Sequence, residues 1–527
     1  MNSKQVTGVV LALTMSSVNA FANSPVVSAR QDKAVHPVLM RNDFNPIVRI
    51  RVRSLEKATF VTSLTFSLAG TDDVNDIDAL HVFSTRDKDS FATGMRFGDG
   101  TTAKQEITFR GSLRLDQGIN VLWLSCRLKR NASLAHRVDA VCTEIKTSEG
   151  PIRPYNETPD VSKRIGIALR RHFDDGVHTH RIAVLATTPK GTLLCAYDMR
   201  RRASRDLQED IDIGLLRSTD GGQSWEAQRV IMDMGEYDGL PQEQNGCSDP
   251  GILVDPETGE VFVAAVWTWG RPGTHQWSKG GSEPGFEIGK TAQFLMVRSK
   301  DDGQTWSQPE NLTRKLKHKD WILFAPSPQQ GIALPDGTLV MPGQGRDAQD
   351  RHFSNLMISR DHGVTWTLSN PASYDNTECQ AVRLGDGSIM LNCRTESPTK
   401  FRTVAVTSDL GKTWRPHPTN RKGLIEPNCN GSTIRFDYTE DGENKHLLLF
   451  ANPYSQKARD HHSIRVSFDD GLTWPEESRI LLDVGGGRGY PSLSQIDETH
   501  VGIVYEGSQS DLVFEKLSLD ELLHRAE

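Results

Sequence analysis

The sequence predicts an all-β protein whose larger part is a β-propeller, and three observations carry that prediction. An eight-residue phrase, Ser-x-Asp-x-Gly-x-Ser/Thr-Trp, recurs at Ser218 to Trp225, Ser299 to Trp306, Ser359 to Trp366 and Ser467 to Trp474, with Thr407 to Trp414 a relaxed copy. Short segments such as Val48 to Val52 and Ile107 to Leu115 alternate apolar with polar residues, as half-buried strands do. Long helical periodicity is nearly absent.

Each phrase places Asp and Gly where a hairpin turn needs a local acceptor and a positive-φ residue. Most copies follow a β-branched or apolar run, such as Phe294 to Val297, Thr403 to Val406 and Ile464 to Val466. The Trp is placed to begin the next strand and plug the gap between neighbouring hairpins. Copies 48 to 81 residues apart fit a repeat architecture, because one small sheet cannot bury its faces alone.

In chain order, residues 1–22 read as a secretory signal: Lys4, an apolar stretch from Val6 to Met15, then small residues ending at Ala20 or Ala22. No later stretch reaches the roughly 18 to 20 apolar residues of a membrane span. With no Cys before Cys126, a lipid anchor is not expected, and the mature chain is placed in the periplasm or outside the cell. Residues 24–155 carry strand-like runs (Phe60 to Leu68, Val121 to Leu128) but no repeat phrase, and read as a separate β-sandwich ending at the proline-punctuated Pro151-Ile152-Arg153-Pro154. Residues 161–527 hold the propeller. Ser518 and Glu521 form a capping-box pattern ahead of Leu522 and Leu523, which predicts a short closing helix.

A net charge of -7 argues against polyanions as partners, so an anionic ligand must be drawn by a local arginine cluster. Nucleic acid is not suggested. Seven cysteines do not make a disulfide framework. Cys126 with Cys142 and Cys379 with Cys393 are spaced like partners on adjacent strands, open to oxidation or to burial as thiols. His461-His462 lacks a helical partner or Cys cluster and reads as a loop feature, and no metal or other cofactor is implied.

The repeated phrase resembles the Asp-box of the sialidase (neuraminidase) family, and scattered residues extend the resemblance over about Leu169 to Glu506. His180-Arg181-Ile182-Ala183 is similar to the family's Arg-Ile-Pro motif, with Ala183 in the proline place. Arg200 and then Asp206 follow at the family's spacing, the first implied as a substrate contact and the second as the acid/base. The run Arg200-Arg201-Arg202 leaves the register of that arginine open. Asp249, in Cys247-Ser248-Asp249-Pro250, matches an Asp-Pro of the substrate pocket near the sugar's amide side; without the family it reads as a turn starter. Thr377-Glu378-Cys379-Gln380 resembles the segment whose Glu assists the nucleophile, and Arg394 the strand-borne arginine. A plain hairpin with one surface ion pair would look much the same. Arg459 matches a third arginine. Gly485 to Pro491 sets Tyr490 at the end of a glycine run, where sialidases carry the nucleophilic tyrosine and where glycine lets backbone approach closely. A phosphate-cradling loop is the rival, though no Lys-Ser/Thr follows, and Tyr505 competes for the nucleophile's role.

The resemblance implies six blades, a lectin-like front domain, and an exo-α-sialidase acting on sialylated glycans and glycoproteins with retention. A carboxylate nucleophile would push one anion onto another at the anomeric carbon of sialic acid, and a phenol avoids this; sialidases are a recognised exception to the two-carboxylate rule. Arg181, Arg394 and Arg459 would grip the substrate carboxylate with charge-assisted hydrogen bonds. A phenol with a reference pKa of about 10 needs a base, the part given to Glu378. Asp206 would protonate the leaving oxygen and then activate water. Three alternatives stay open: a non-catalytic sialoglycan-binding propeller, a glycosidase using Asp206 and Asp249 on another sugar, and a trans-sialidase with Trp267 and Trp269 as candidate acceptor contacts.

Overall fold

The computed structural model describes residues 27–55, 59–207, 209–237, 239–269 and 275–524. The predicted signal, 1–22, lies outside them. Strands make up 49% and helices 4%, so the all-β prediction holds.

Two sheets come from the front of the chain. One is six-stranded and centred on Asn45–Ser54 and Gly118–Leu128; the other is four-stranded and centred on Val141–Thr147 and Phe60–Ser67. Alternation in these strands sends Val48, Ile50, Leu64, Phe66, Leu122 and Leu124 into a common apolar core. This region is not sealed off. Val38–Met40 leaves it to pair in parallel with Lys163–Arg170, and Arg137–Val138 pairs with the same strand. The core runs on to Leu185, Leu193 and Tyr197.

Six further sheets follow. The first four strands are Thr179–Thr187, Leu193–Arg200, Ile211–Ser218 and Arg229–Met232, each antiparallel to the last. The second sheet starts at Asn245–Val254, the third at Leu323–Pro326, the fourth at Asn376–Arg383 and the fifth at Ser432–Glu440. The sixth joins Pro491–Asp497, His500–Tyr505 and Leu512–Ser518 to Lys163–Arg170, so both ends of this region share one sheet. Leading strands of neighbouring sheets adjoin except between the third and fourth, where Leu339–Arg346 meets Asn376–Arg383, and Pro491–Asp497 returns to Thr179–Thr187, where Ser492 Oγ accepts Leu185 N–H at 2.9 Å.

Each of the five Asp-boxes spans the turn between the third and fourth strands of the first five sheets. In the second box Ser299 Oγ donates to Asp301 at 2.9 Å and accepts Gly303 N–H at 2.9 Å, while Asp301 also accepts Thr305 N–H at 2.8 Å. Asp302 and Gly303 take φ of 65° and 79°, the left-handed pair a tight turn demands. The Trp stands just ahead of the fourth strand and reaches the preceding sheet: Trp225 meets Phe514 of the sixth sheet at 5.3 Å, and Trp366 meets Phe262 of the second at 6.0 Å. Leu519–Leu523 forms the closing helix with the reciprocal Ser518–Glu521 capping box.

All seven cysteines are buried free thiols. Cys379 and Cys393 are register partners on adjacent strands, as their spacing predicts, but Cys126 and Cys142 lie on different sheets. Burial pushes the thiols of Cys126 and Cys142 up to about 12.

Candidate active site

A pocket opens over the leading ends of the sheets, and Arg181, Asp206, Asp249, Glu378, Arg394, Arg459 and Tyr490 all line it. Three of these positions sit at bulges. Pairing slips between Arg181 and Val184 in the first sheet, Ser248 and Gly251 in the second, and Asn376 and Cys379 in the fourth. A bulge re-aims side chains that regular pleating would send into a neighbouring sheet. Two of the three carry strained backbone: Ile182 has φ 54° and Asp249 φ 58°. For the β-branched Ile182 that conformation is costly, and it is held by burial against Cys429 and Tyr490.

Tyr490 Oη donates to Glu378 Oε1 at 2.5 Å and accepts from Arg394 Nη1 at 2.9 Å. The same nitrogen reaches Glu378 Oε2 at 2.9 Å, closing a three-membered network. Burial raises the Tyr490 phenol well above its usual range; Glu378 adds to the rise, while Arg394 and Arg459 pull against it. Among the described residues Glu378 is the only carboxylate hydrogen-bonded to the phenol. Guanidiniums of Arg181 and Arg459 stand 5.1 and 5.5 Å from the Tyr490 ring centre. The glycine run makes room as expected: a Cβ on Gly487 would meet the Glu506 carbonyl at 2.3 Å, and Gly489 takes φ 99° beside Cys429 and Arg459.

Arg181 is held by Glu506, which accepts its Nε and Nη2 at 3.0 Å each and also takes the Ile182 N–H at 2.8 Å. Its remaining Nη1 donates to Asp206 at 3.2 Å. Asp206 is also paired with Arg200. Burial alone would raise the Asp206 carboxyl, but Arg200 and Arg181 outweigh it and hold the group below its usual value. Arg459 donates to the carbonyls of Arg488 and Asn428, and Asn428 Oδ1 accepts Arg394 Nε at 2.8 Å.

The structure departs from the sequence reading at three places. Arg200 is fully buried and stands outside the pocket lining, engaging Asp198, the Ser204 carbonyl and Asp206. Tyr505 points away, donating to Glu515 at 2.7 Å, and is no rival to Tyr490. Trp267 is buried against Tyr237 outside the pocket. Glu506 and Asn428 were not found from sequence, since neither sits in a motif. His275, Trp277, His352 and Glu396 also line the pocket unannounced, His352 Nδ1 lying 2.8 Å from Glu396.

Repeats, sheets and an arginine-lined pocket with a buried phenol define a BNR-repeat protein of the neuraminidase type. Residues 27–151 match the N-terminal domain of BNR-repeat neuraminidase, and residues 191–503 match the BNR repeat-like domain. The chain is 39% identical over 425 residues to a sialidase of Bacteroides fragilis (strain YCH46), spanning 80% of this chain and 77% of that one. A sialidase of Micromonospora viridifaciens is 31% identical over 368 residues, 68% of this chain and 53% of its own. Among solved structures, Hadza microbial sialidase Hz136 superposes with a TM-score of 0.87 at 34% identity, over 93% of this chain and 99% of that one. The chain belongs to the sialidase family.

Proposed function

We propose that this chain is an exo-α-sialidase that releases terminal sialic acids from glycoconjugates with retention, through a tyrosyl-enzyme intermediate. The observation that carries the reading is the Tyr490–Glu378–Arg394 network set in one pocket with Arg181 and Arg459. Arg181, Arg394 and Arg459 bind the sugar carboxylate. Tyr490 attacks the anomeric carbon as Glu378 takes its proton, and Asp206 protonates the departing oxygen. Water, deprotonated by Asp206, then displaces the tyrosine.

The pairing of Asp206 with Arg181 fits this sequence. A substrate carboxylate entering the pocket competes for Arg181 Nη1, and losing that partner raises Asp206 toward the range of a working acid. The neutral phenol keeps a further negative charge away from the substrate anion. No cofactor enters the chemistry.

We infer that the six sheets are the blades of a β-propeller, supported by the return of Pro491–Asp497 to Thr179–Thr187, and that the described part of residues 24–155 is a β-sandwich domain. Export, to the periplasm or the medium, rests on the leader-like residues 1–22. Among the described residues no helix is long and apolar enough to cross a membrane.

The test is release of a fluorescent aglycone from an α-sialoside by wild type and by Tyr490→Phe. Wild type turns over with the α-anomer as first product by proton NMR, and the variant loses nearly all turnover while staying folded. Equal rates would place the nucleophile elsewhere.

A further inference from the structure

The pocket holds more carboxyl groups than its arginines serve. Arg181 is spent on Glu506 and Asp206, Arg394 on Glu378, Tyr490 and Asn428, and Arg459 on two backbone carbonyls. Arg200 is spent on Asp198, Asp206 and the Ser204 carbonyl. None of these cations reaches Asp249.

Asp198 and Asp249 lie side by side, joined by the hydrogen bond from the Asp249 N–H to Asp198, and their surroundings differ sharply. Asp198 accepts Arg200 Nε and Nη2 at 3.2 and 3.0 Å, Ser248 Oγ at 2.7 Å and the Asp249 N–H at 3.0 Å. Among the described residues the side chain of Asp249 makes one hydrogen-bond contact, with Ser248 Oγ at 3.5 Å, a hydroxyl that lies closer, at 2.7 Å, to Asp198. Four donors point at Asp198, while Asp249 is buried, lines the pocket and has no salt-bridge partner among the described residues.

We propose that Asp249 acts as a neutral carboxylic acid, its O–H donated to an oxygen of the bound sugar, so that it determines specificity as a hydrogen-bond donor and not as an anion. The proposal rests on the sialidase reading of the pocket. Burial raises both carboxyls. Arg200 and Ser248 pull Asp198 back, whereas burial first and then the charges of Asp198, Glu378 and Asp206 put Asp249 well above the ordinary range, with Arg200 opposing. Substrate chemistry favours the same state, since a further anion beside Asp206, Glu378 and Glu396 would repel the sugar's own carboxylate. A protonated carboxyl in a site of this kind donates strongly because little water competes.

The experiment compares wild type, Asp249→Asn and Asp249→Gly as full chains, using the fluorescent sialoside and infrared difference spectra. Asn is isosteric, neutral and a donor, and Asn and Gly both accept the positive φ of this position, so backbone strain does not confound the pair. Expected are a fall in kcat/KM of about threefold for Asp249→Asn and about thirtyfold, mostly in KM, for Asp249→Gly. A protonated-carboxyl C=O stretch present in wild type at neutral pH should be missing from Asp249→Asn. Equal losses in the two variants, with folding kept, would show that the charge is required and overturn the proposal; so would a wild-type spectrum without that band. A wild type with no sialoside turnover that still shows the band would instead sink the sialidase reading.

Discussion

Tyr490 and Glu378, 112 positions apart in the chain, share a 2.5 Å hydrogen bond in which the phenol is the donor. Arg394 bridges both partners from one nitrogen. The contact ties the segment leading into the sixth sheet to the fourth sheet across the pocket and gives the phenol one carboxylate partner among the described residues. Glu378→Gln keeps the shape and removes the base. Turnover of an α-sialoside should fall by about 100- to 10,000-fold, read as kcat, with the melting temperature little changed.

Glu506 anchors Arg181 through two 3.0 Å bonds and also takes the Ile182 N–H. Glu506→Ala leaves a buried guanidinium without its main partner, which should cost about 3–5 kcal/mol in urea unfolding and raise KM for sialosides. Unchanged stability would mean that the pocket has more freedom to rearrange than the hydrogen bonds imply.

Asp206 is held below its usual range by Arg200 and Arg181 against the effect of burial. A carboxyl with a depressed folded value adds stability above its unfolded value, about 3.9, and loses it as pH falls through the folded one. The melting temperature of wild type should therefore exceed that of Asp206→Asn at neutral pH, with the gap closing as pH drops below about 4. Partial exposure of the side chain keeps the gap small.

Trp474 of the fifth box is buried with Phe450 and Met390, in a cluster shared by the fourth and fifth sheets. Trp474→Ala should cost about 3–5 kcal/mol in unfolding while leaving KM near wild type, since the residue holds sheets together and is not part of the pocket lining.

The repeat architecture was legible because each box is a complete local device: Ser, Asp and Gly close a turn with no outside help. Five boxes serve six sheets for a topological reason. In the sixth, the strand after Leu512–Ser518 is Lys163–Arg170, so no turn exists there to carry a box. Motif-borne residues, Arg181, Asp206, Glu378, Arg394, Arg459 and Tyr490, were readable and meet in one pocket. Arg200, read as a substrate contact, stands outside the pocket lining and pairs with both Asp198 and Asp206, because spacing fixes position along the chain and not which side chains are left facing the pocket. Glu506 was illegible for the opposite reason: it follows an apolar strand as an ordinary acid, and only folding brings it to Arg181, 325 positions away. Asn428 acts through a left-handed backbone, φ 60°, that nothing in its neighbours announces.

The most direct measurement uses a sialic acid carrying fluorine next to the anomeric carbon and a good leaving group, which slows breakdown of any covalent intermediate. After acid quench and proteolysis, mass spectrometry locates the adduct. The account predicts one sialyl group on Tyr490, absent when Glu378→Gln is treated for the same time. An adduct on Asp206 or Asp249, or full turnover by an enzyme that never carries one, would contradict it.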